Sequence, residues 1–75
     1  MKQVQRLTCV IEREDDAYVS SCPELDIASQ GRSIEEARGN LIEAEQLFLE
    51  TADPSELRQR MHVEVYVTGI EVAFG

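Results

Sequence analysis

Two pairs of neighbouring carboxylates are the strongest candidates for chemistry in this sequence. Asp15 and Asp16 are adjacent, and Glu24 and Asp26 flank a single leucine. Paired acids can transfer protons or hold a divalent metal when further ligands lie within reach. Aspartate is also common in turns, where its side chain bonds to the local backbone. Because the whole chain is rich in acids, a solvated acidic surface explains both pairs better, and we expect no catalytic residue.

The remaining candidate groups are single residues. His62 is the only histidine, and no cluster of cysteines and acids at useful spacing accompanies it, so neither acid–base catalysis nor metal binding is predicted. Cys9 and Cys22 lack the Cys-x-x-Cys spacing of metal and redox sites. They could form one disulfide, but in a reducing cytosol we expect two free, buried thiols. A lone glycine at 30–33, without a lysine, makes a poor phosphate loop. We therefore expect no cofactor and no metal.

Length and charge limit the classes of protein. The 75 residues suffice for one small domain, spanning 1–75. Fifteen acidic residues against 7 basic ones give a net charge of -8, which argues against binding nucleic acid and favours a basic partner surface. No apolar run approaches the roughly 20 residues of a membrane helix, and the first residues lack the apolar block of a signal peptide. We therefore expect a cytoplasmic protein without a membrane segment.

The first thirty residues predict three short strands. Residues 4–12 alternate between apolar and polar side chains, which is typical of a half-buried strand. A polar cluster then predicts a hairpin turn, followed by a second strand over 17–22 that ends before Pro23, which lacks a backbone donor. Residues 25–30 predict a third strand. The connections are too short for crossover helices, so the strands should form an antiparallel meander.

A capping box predicts the start of a long helix. Ser33 is a favoured N-cap, and Glu36 follows three residues on. Apolar residues then recur every three or four positions, which predicts a helix over about 34–51 with one apolar face. One explanation for Gly39 inside this helix is a close approach to the sheet. A second Asp-Pro-Ser-Glu start predicts a short helix over about 54–60.

The last segment alternates twice, with a change of phase between the two halves. Residues 62–68 predict a fourth strand, whereas the apolar residues of 70–74 occupy the opposite phase. A bulge or bend at Gly69 accommodates the slip. An apolar strand left exposed is an aggregation hazard unless something pairs with it, so we predict a homodimer, with folding back onto the chain's own sheet as the alternative. The predicted dimer interface consists of Gly69, Ile70, Val72 and Phe74.

Together these elements predict an α+β domain in which one main helix covers one face of a small sheet. The strands and helices contribute apolar residues to a single core. The predicted core consists of Leu7, Cys9, Ile11, Val19, Leu25, Ile27, Ile34, Ala37, Leu41, Ala44, Phe48, Val63, Val65 and Val67.

Two stretches of the chain resemble the signature of the HicB-like antitoxin family. Residues 18–31 contain a Pro-Glu-Leu turn and a Gln-Gly pair. Residues 33–50 contain Ser-Ile-Glu-Glu-Ala, then Asn-Leu-Ile-Glu-Ala. The combination is fairly specific because it joins a turn, a glycine and a helix at fixed spacing. It covers residues 1–50 well and 63–75 more loosely.

The resemblance implies a β-β-β-α-β fold like a partial ribonuclease H domain, without that enzyme's activity. It also implies an antitoxin that binds a small basic HicA-type toxin, an mRNA-cleaving ribonuclease, and blocks its active site. The alternative is a stand-alone regulatory or ligand-binding module that self-assembles. Many HicB-like antitoxins carry a C-terminal DNA-binding domain for which this chain has no room, so we expect no operator binding. The candidate toxin-binding residues are Glu12, Asp15, Asp16, Glu24 and Asp26.

Overall fold

The computed structural model describes residues 4–61 and 63–75. Three strands, β1 (Val10–Glu14), β2 (Ala17–Cys22) and β3 (Ile27–Gly31), precede two helices, α1 (Ile34–Thr51) and α2 (Pro54–Met61). The strands form an antiparallel sheet in the order β1-β2-β3. The α+β class, the meander, the main helix and the short second helix are thus confirmed. His62, predicted to begin a fourth strand, lies outside the described residues.

The register of the sheet separates a face covered by α1 from an open face. Ser20 pairs with Ile11 and with Ser29, and its buried hydroxyl donates to the Ala37 carbonyl at 2.7 Å. Cross-strand partners share a face, so these residues lie under the helix. Glu12 pairs with Val19 on the other, open face. Val19, predicted in the core, is therefore half-buried on the side away from α1.

Helix α1 begins where the capping box predicts. The Ser33 hydroxyl accepts the Glu36 backbone N–H at 3.0 Å. The Glu36 carboxylate accepts the N–H of Arg32 at 3.1 Å. A side chain on Gly31 would place its Cβ 2.5 Å from the Ala37 backbone nitrogen, so glycine is what lets β3 approach the first turn of the helix.

The core is small and lies between α1, the sheet and the turn after β2. Leu25, Cys22 and Leu41 are almost fully buried and form its centre. Helix α2 closes one side of this core, because Met61 packs against it and the Arg60 guanidinium donates to the Leu25 carbonyl. Partly buried neighbours complete the cluster: Leu7, Ile27, Phe48 and Leu49.

Several predicted core residues are in fact exposed. Among the described residues, no strand or helix packs over them. Cys9 is exposed because it precedes β1, which starts only at Val10. Ile34 is 51% exposed at the first position of α1. Val63 and Val67 are exposed and Val65 is half-buried because residues 63–75 form no strand. The predicted fourth strand is therefore wrong for these residues within a single chain.

Residues 66–75, called the tail below, form no helix or strand, and every one of them is exposed. The radius of gyration is 14.7 Å, whereas a compact chain of this length has about 11 Å. The chain measures 52 Å along its longest axis. Neither helix described here has the length and apolar character needed to cross a membrane.

Candidate functional site

The end of β1 and the turn that follows it carry a dense group of exposed carboxylates. Glu12, Glu14, Asp15 and Asp16 are all exposed, and we call them the acidic hairpin. Glu12 and Glu14 lie on the open face of the sheet, opposite Val19 and Ala17. Glu14 is not among the residues predicted from the sequence, although its spacing of two from Glu12 puts both on one face of a strand.

The backbone of this turn depends on an aspartate. Asp15 has a φ of 53°, in the left-handed region that aspartate and asparagine tolerate better than other side chains. The Arg13 guanidinium donates to the Asp15 carbonyl at 3.2 Å and braces the turn. The Asp15 carboxylate is left exposed, so its charge and its backbone role can be separated by mutation.

The second predicted acid pair divides into a structural and an exposed residue. The Glu24 carboxylate accepts the Thr8 N–H at 3.0 Å and the Thr8 hydroxyl at 2.7 Å. Partial burial acts to raise the pKa of Glu24, but hydrogen bonds from the Thr8 side chain and backbone outweigh it and hold the pKa below its usual value. Asp26, with a φ of 54°, is exposed in the turn. Glu24 thus fastens residue 8 to the β2–β3 turn.

The five predicted toxin-binding residues do not converge on one point. Asp15 and Asp16 precede β2, whereas Glu24 and Asp26 follow it. Six residues of strand separate the two turns, a span of roughly 20 Å. The acidic hairpin is therefore one candidate surface, and Asp26 lies at the opposite end of the sheet.

A groove of about 750 Å³ runs between residues 4–9 and helix α1. Leu7, Leu41 and Leu49 belong to its lining and also to the core, so its floor is apolar. Glu45 lines the same groove, and its Oε1 atom is buried without a hydrogen-bond partner among the described residues. The Glu45 carboxylate also lies near the buried Cys22 thiol. No sequence pattern signalled this groove.

The two thiols have opposite surroundings. Both are free; Cys9 is exposed on the groove and Cys22 is buried. Burial, reinforced by the nearby Glu45 carboxylate, raises the pKa of Cys22 to about 12. A protonated thiol is a poor nucleophile, so Cys22 is structural, as predicted, whereas the predicted burial of Cys9 is wrong.

The sequence predicts that the chain binds no metal, and this stays a prediction. Across residues 4–61 and 63–75, no group of three histidine, cysteine or acidic side chains could hold a metal ion. His62 is not among the residues covered by this finding.

Comparison with known proteins identifies one family. No protein-family model matches the chain, and no solved structure matches it. A UPF0150 protein of Helicobacter pylori (strain J99) is 35% identical to it over 69 residues, which are 91% of this chain and 96% of that protein. Identity at this level over nearly the full length of both chains places this chain in the UPF0150 family.

Proposed function

We propose that this chain is an antitoxin that binds and neutralises a small basic ribonuclease of the HicA type. The resemblance of residues 18–50 to HicB-like antitoxins suggests this function. The acidic hairpin is the observation that carries the proposal, because it presents four exposed carboxylates within five residues. They belong to a protein whose net charge is already -8.

Electrostatics makes such a surface suited to a ribonuclease. An RNA-cleaving protein binds phosphates through lysine and arginine side chains, which form strong charge-assisted bonds with carboxylates as well. The acidic hairpin would occupy these cations in place of RNA. Opposite net charges would also steer the two proteins together and raise their association rate.

The alternative function is a self-assembling module without a toxin. The gene neighbourhood separates the two. A short adjacent reading frame that encodes a basic protein with a single histidine supports the antitoxin, whereas an isolated gene favours the alternative.

Co-expression is the direct test of the proposal. The adjacent basic protein is expressed alone and together with this chain, and cell growth and mRNA integrity are measured. We expect growth arrest and mRNA loss with the neighbour alone, and relief of both on co-expression. Arrest that persists while the two proteins are present in equal amounts would contradict the antitoxin function.

A pair of substitutions that removes two negative charges tests the acidic hairpin itself. Asparagine tolerates the left-handed backbone at residue 15, so Asp15→Asn with Asp16→Asn removes two charges and keeps the turn. We expect association with the basic neighbour to slow about tenfold at low ionic strength, measured by surface plasmon resonance. Glu43→Gln with Glu50→Gln removes two exposed charges from α1 and is the matched control. Equal slowing in both variants would mean that net charge alone, and not the acidic hairpin, directs binding.

A further inference from the structure

The isolated chain exposes far more surface than a folded chain of its size requires. Its accessible area is 6581 Å², whereas a compact monomer of 8.5 kDa has about 4,700 Å². The excess is roughly 1,900 Å², and a stable protein–protein interface buries about 800 Å² on each partner. The excess is therefore large enough to be buried by association.

The tail accounts for an apolar part of this excess. Ile70, Val72 and Phe74 are 82%, 72% and 98% exposed. They alternate along the chain, so in an extended conformation their side chains share one face. Exposure of this face to water is unfavourable in free energy, because burying each of these apolar side chains would stabilise the protein.

The groove between residues 4–9 and α1 offers the apolar segment of the tail a backbone to pair with and an apolar surface to cover it. Residues 4–9 continue β1 but have no strand partner among the described residues. Ile42 lines the groove and is exposed. An extended strand presents an N–H and a carbonyl at every residue, and these groups can pair with the backbone of residues 4–9. An apolar strand therefore matches both the hydrogen-bonding and the apolar requirements of the groove.

We propose that residues 70–74 of a second copy of this chain occupy the groove between residues 4–9 and α1. Each copy carries both the tail and the groove, so a twofold axis allows both grooves to be filled reciprocally and closes the assembly at a dimer. The charges also agree: Glu71 is the charged residue of the segment, and the groove lining contains two arginines, Arg6 and Arg38, against one glutamate, Glu45. Since every tail residue is exposed in the single chain, its own groove is empty of it.

Disulfide trapping in the full-length chain tests this docking. Cysteine is introduced singly at each of residues 70–74, and each variant is oxidised with oxidised glutathione and separated on a non-reducing gel. Cys9 lies on the groove, whereas Cys22 is buried and unreactive. We expect at least one position to give a covalent dimer whose disulfide joins Cys9 of one copy to the new thiol of the other, as identified by mass spectrometry.

The outcomes of the trapping experiment are distinct. Adding Cys9→Ser to the trapped variant should abolish the covalent dimer. A disulfide formed within one chain would show that the tail folds back onto its own groove, which overturns the proposal. A dimer that survives Cys9→Ser would show that tails pair with each other, which overturns it as well, as does trapping at none of the five positions.

A matched pair of groove variants provides an independent measurement. Ile42 and Leu47 are both exposed on α1, but only Ile42 lines the groove. Analytical ultracentrifugation of Ile42→Lys should show the dimer dissociation constant raised at least tenfold, and Leu47→Lys should leave it unchanged, with circular dichroism confirming that both are folded. Wild-type protein that sediments as a monomer, or equal weakening by both variants, overturns the proposal.

Discussion

The residues that carry the family resemblance have structural roles in this fold. Leu25, from the Pro-Glu-Leu turn, is fully buried in the core. Gly31 permits the contact of β3 with α1. Asn40 donates its side-chain N–H to the Gln30 carbonyl at 2.8 Å, and Leu41 lies in the core. The motif therefore specifies how the helix packs on the sheet.

Glu24 shows how a residue with the chemistry of an active site can serve the fold instead. Its folded-state pKa is lowered by the Thr8 hydrogen bonds, against partial burial. A carboxyl group of this kind contributes stability that is present above its unfolded pKa and is lost as the pH falls through its folded pKa. Acid should therefore weaken the attachment of residue 8 to the β2–β3 turn.

The pH dependence of unfolding tests this role of Glu24. Between about pH 5 and pH 3, the wild-type chain should lose more stability than Glu24→Gln, which has no titrating group at this position. Urea unfolding followed by circular dichroism at each pH measures the difference. Glu50→Gln, which removes one exposed carboxylate from α1, should follow the wild-type curve. If Glu24→Gln and the wild type have parallel curves, the carboxylate is not held by Thr8 in solution.

At the scale of the element, α1 is fixed by its buried face. Ala37 and Leu41 are its fully buried residues, and the predicted bounds of 34–51 agree with the observed ones. Replacing Leu41 by alanine should cost about 2–5 kcal/mol of unfolding free energy, because it leaves a cavity in a well-packed core. In a domain this small that is a large share of the total stability.

Ile34→Ala is the matched control for Leu41→Ala. Ile34 belongs to the same helical periodicity but is half exposed, so its loss should cost about 1 kcal/mol or less. Chemical denaturation of both variants gives the comparison. Equal costs would mean that the buried face of α1 is not centred on Leu41.

Local sequence signals predict the strands and helices, whereas contacts between distant residues determine where the strands pair and where the sheet approaches the helix. The capping box and apolar periodicity of α1 lie within one stretch of sequence, as does the Pro23 that ends β2 at Cys22. The extent of β1 depends on its pairing with β2, and the first paired residue of β1 is Val10. Two glycines illustrate the same limit: close approach to the sheet is one explanation for Gly39 in the sequence, but Gly39 has open space around it, whereas Gly31 makes the contact.

The candidate sites were harder to predict because they depend on relations between distant segments. Sequence spacing grouped Glu24 with Asp26, but Glu24 bonds to Thr8, sixteen residues earlier. The groove combines residues 4–9 with one face of α1, and the meander brings them together only after folding. The change of phase at Gly69 predicts that Ile70, Val72 and Phe74 leave the face used by Val63, Val65 and Val67, but the structure exposes Tyr66 and Val67 as well, because residues 63–75 form no strand.

At the scale of the whole molecule, the two proposed associations differ in their electrostatics. Two copies of the chain each carry a charge of -8 and repel one another, so the homodimer depends on apolar contacts of the tail. A basic ribonuclease is attracted to the same charge. Exposed ion pairs such as those available to Glu71 contribute little by comparison. Salt should therefore act on the two complexes with opposite sign.

Raising the salt concentration from about 0.1 M to about 1 M shortens the screening length from about 10 Å to about 3 Å. The homodimer should become tighter, because repulsion between two acidic chains is screened, whereas the complex with the basic neighbour should become weaker. Sedimentation at both salt concentrations measures the two dissociation constants. Glu43→Gln with Glu50→Gln removes two negative charges from each copy. This pair should reduce the salt dependence of the homodimer while leaving the groove intact. A homodimer that dissociates as salt is added would show that ion pairs hold it together, and would contradict an interface built on Ile70, Val72 and Phe74.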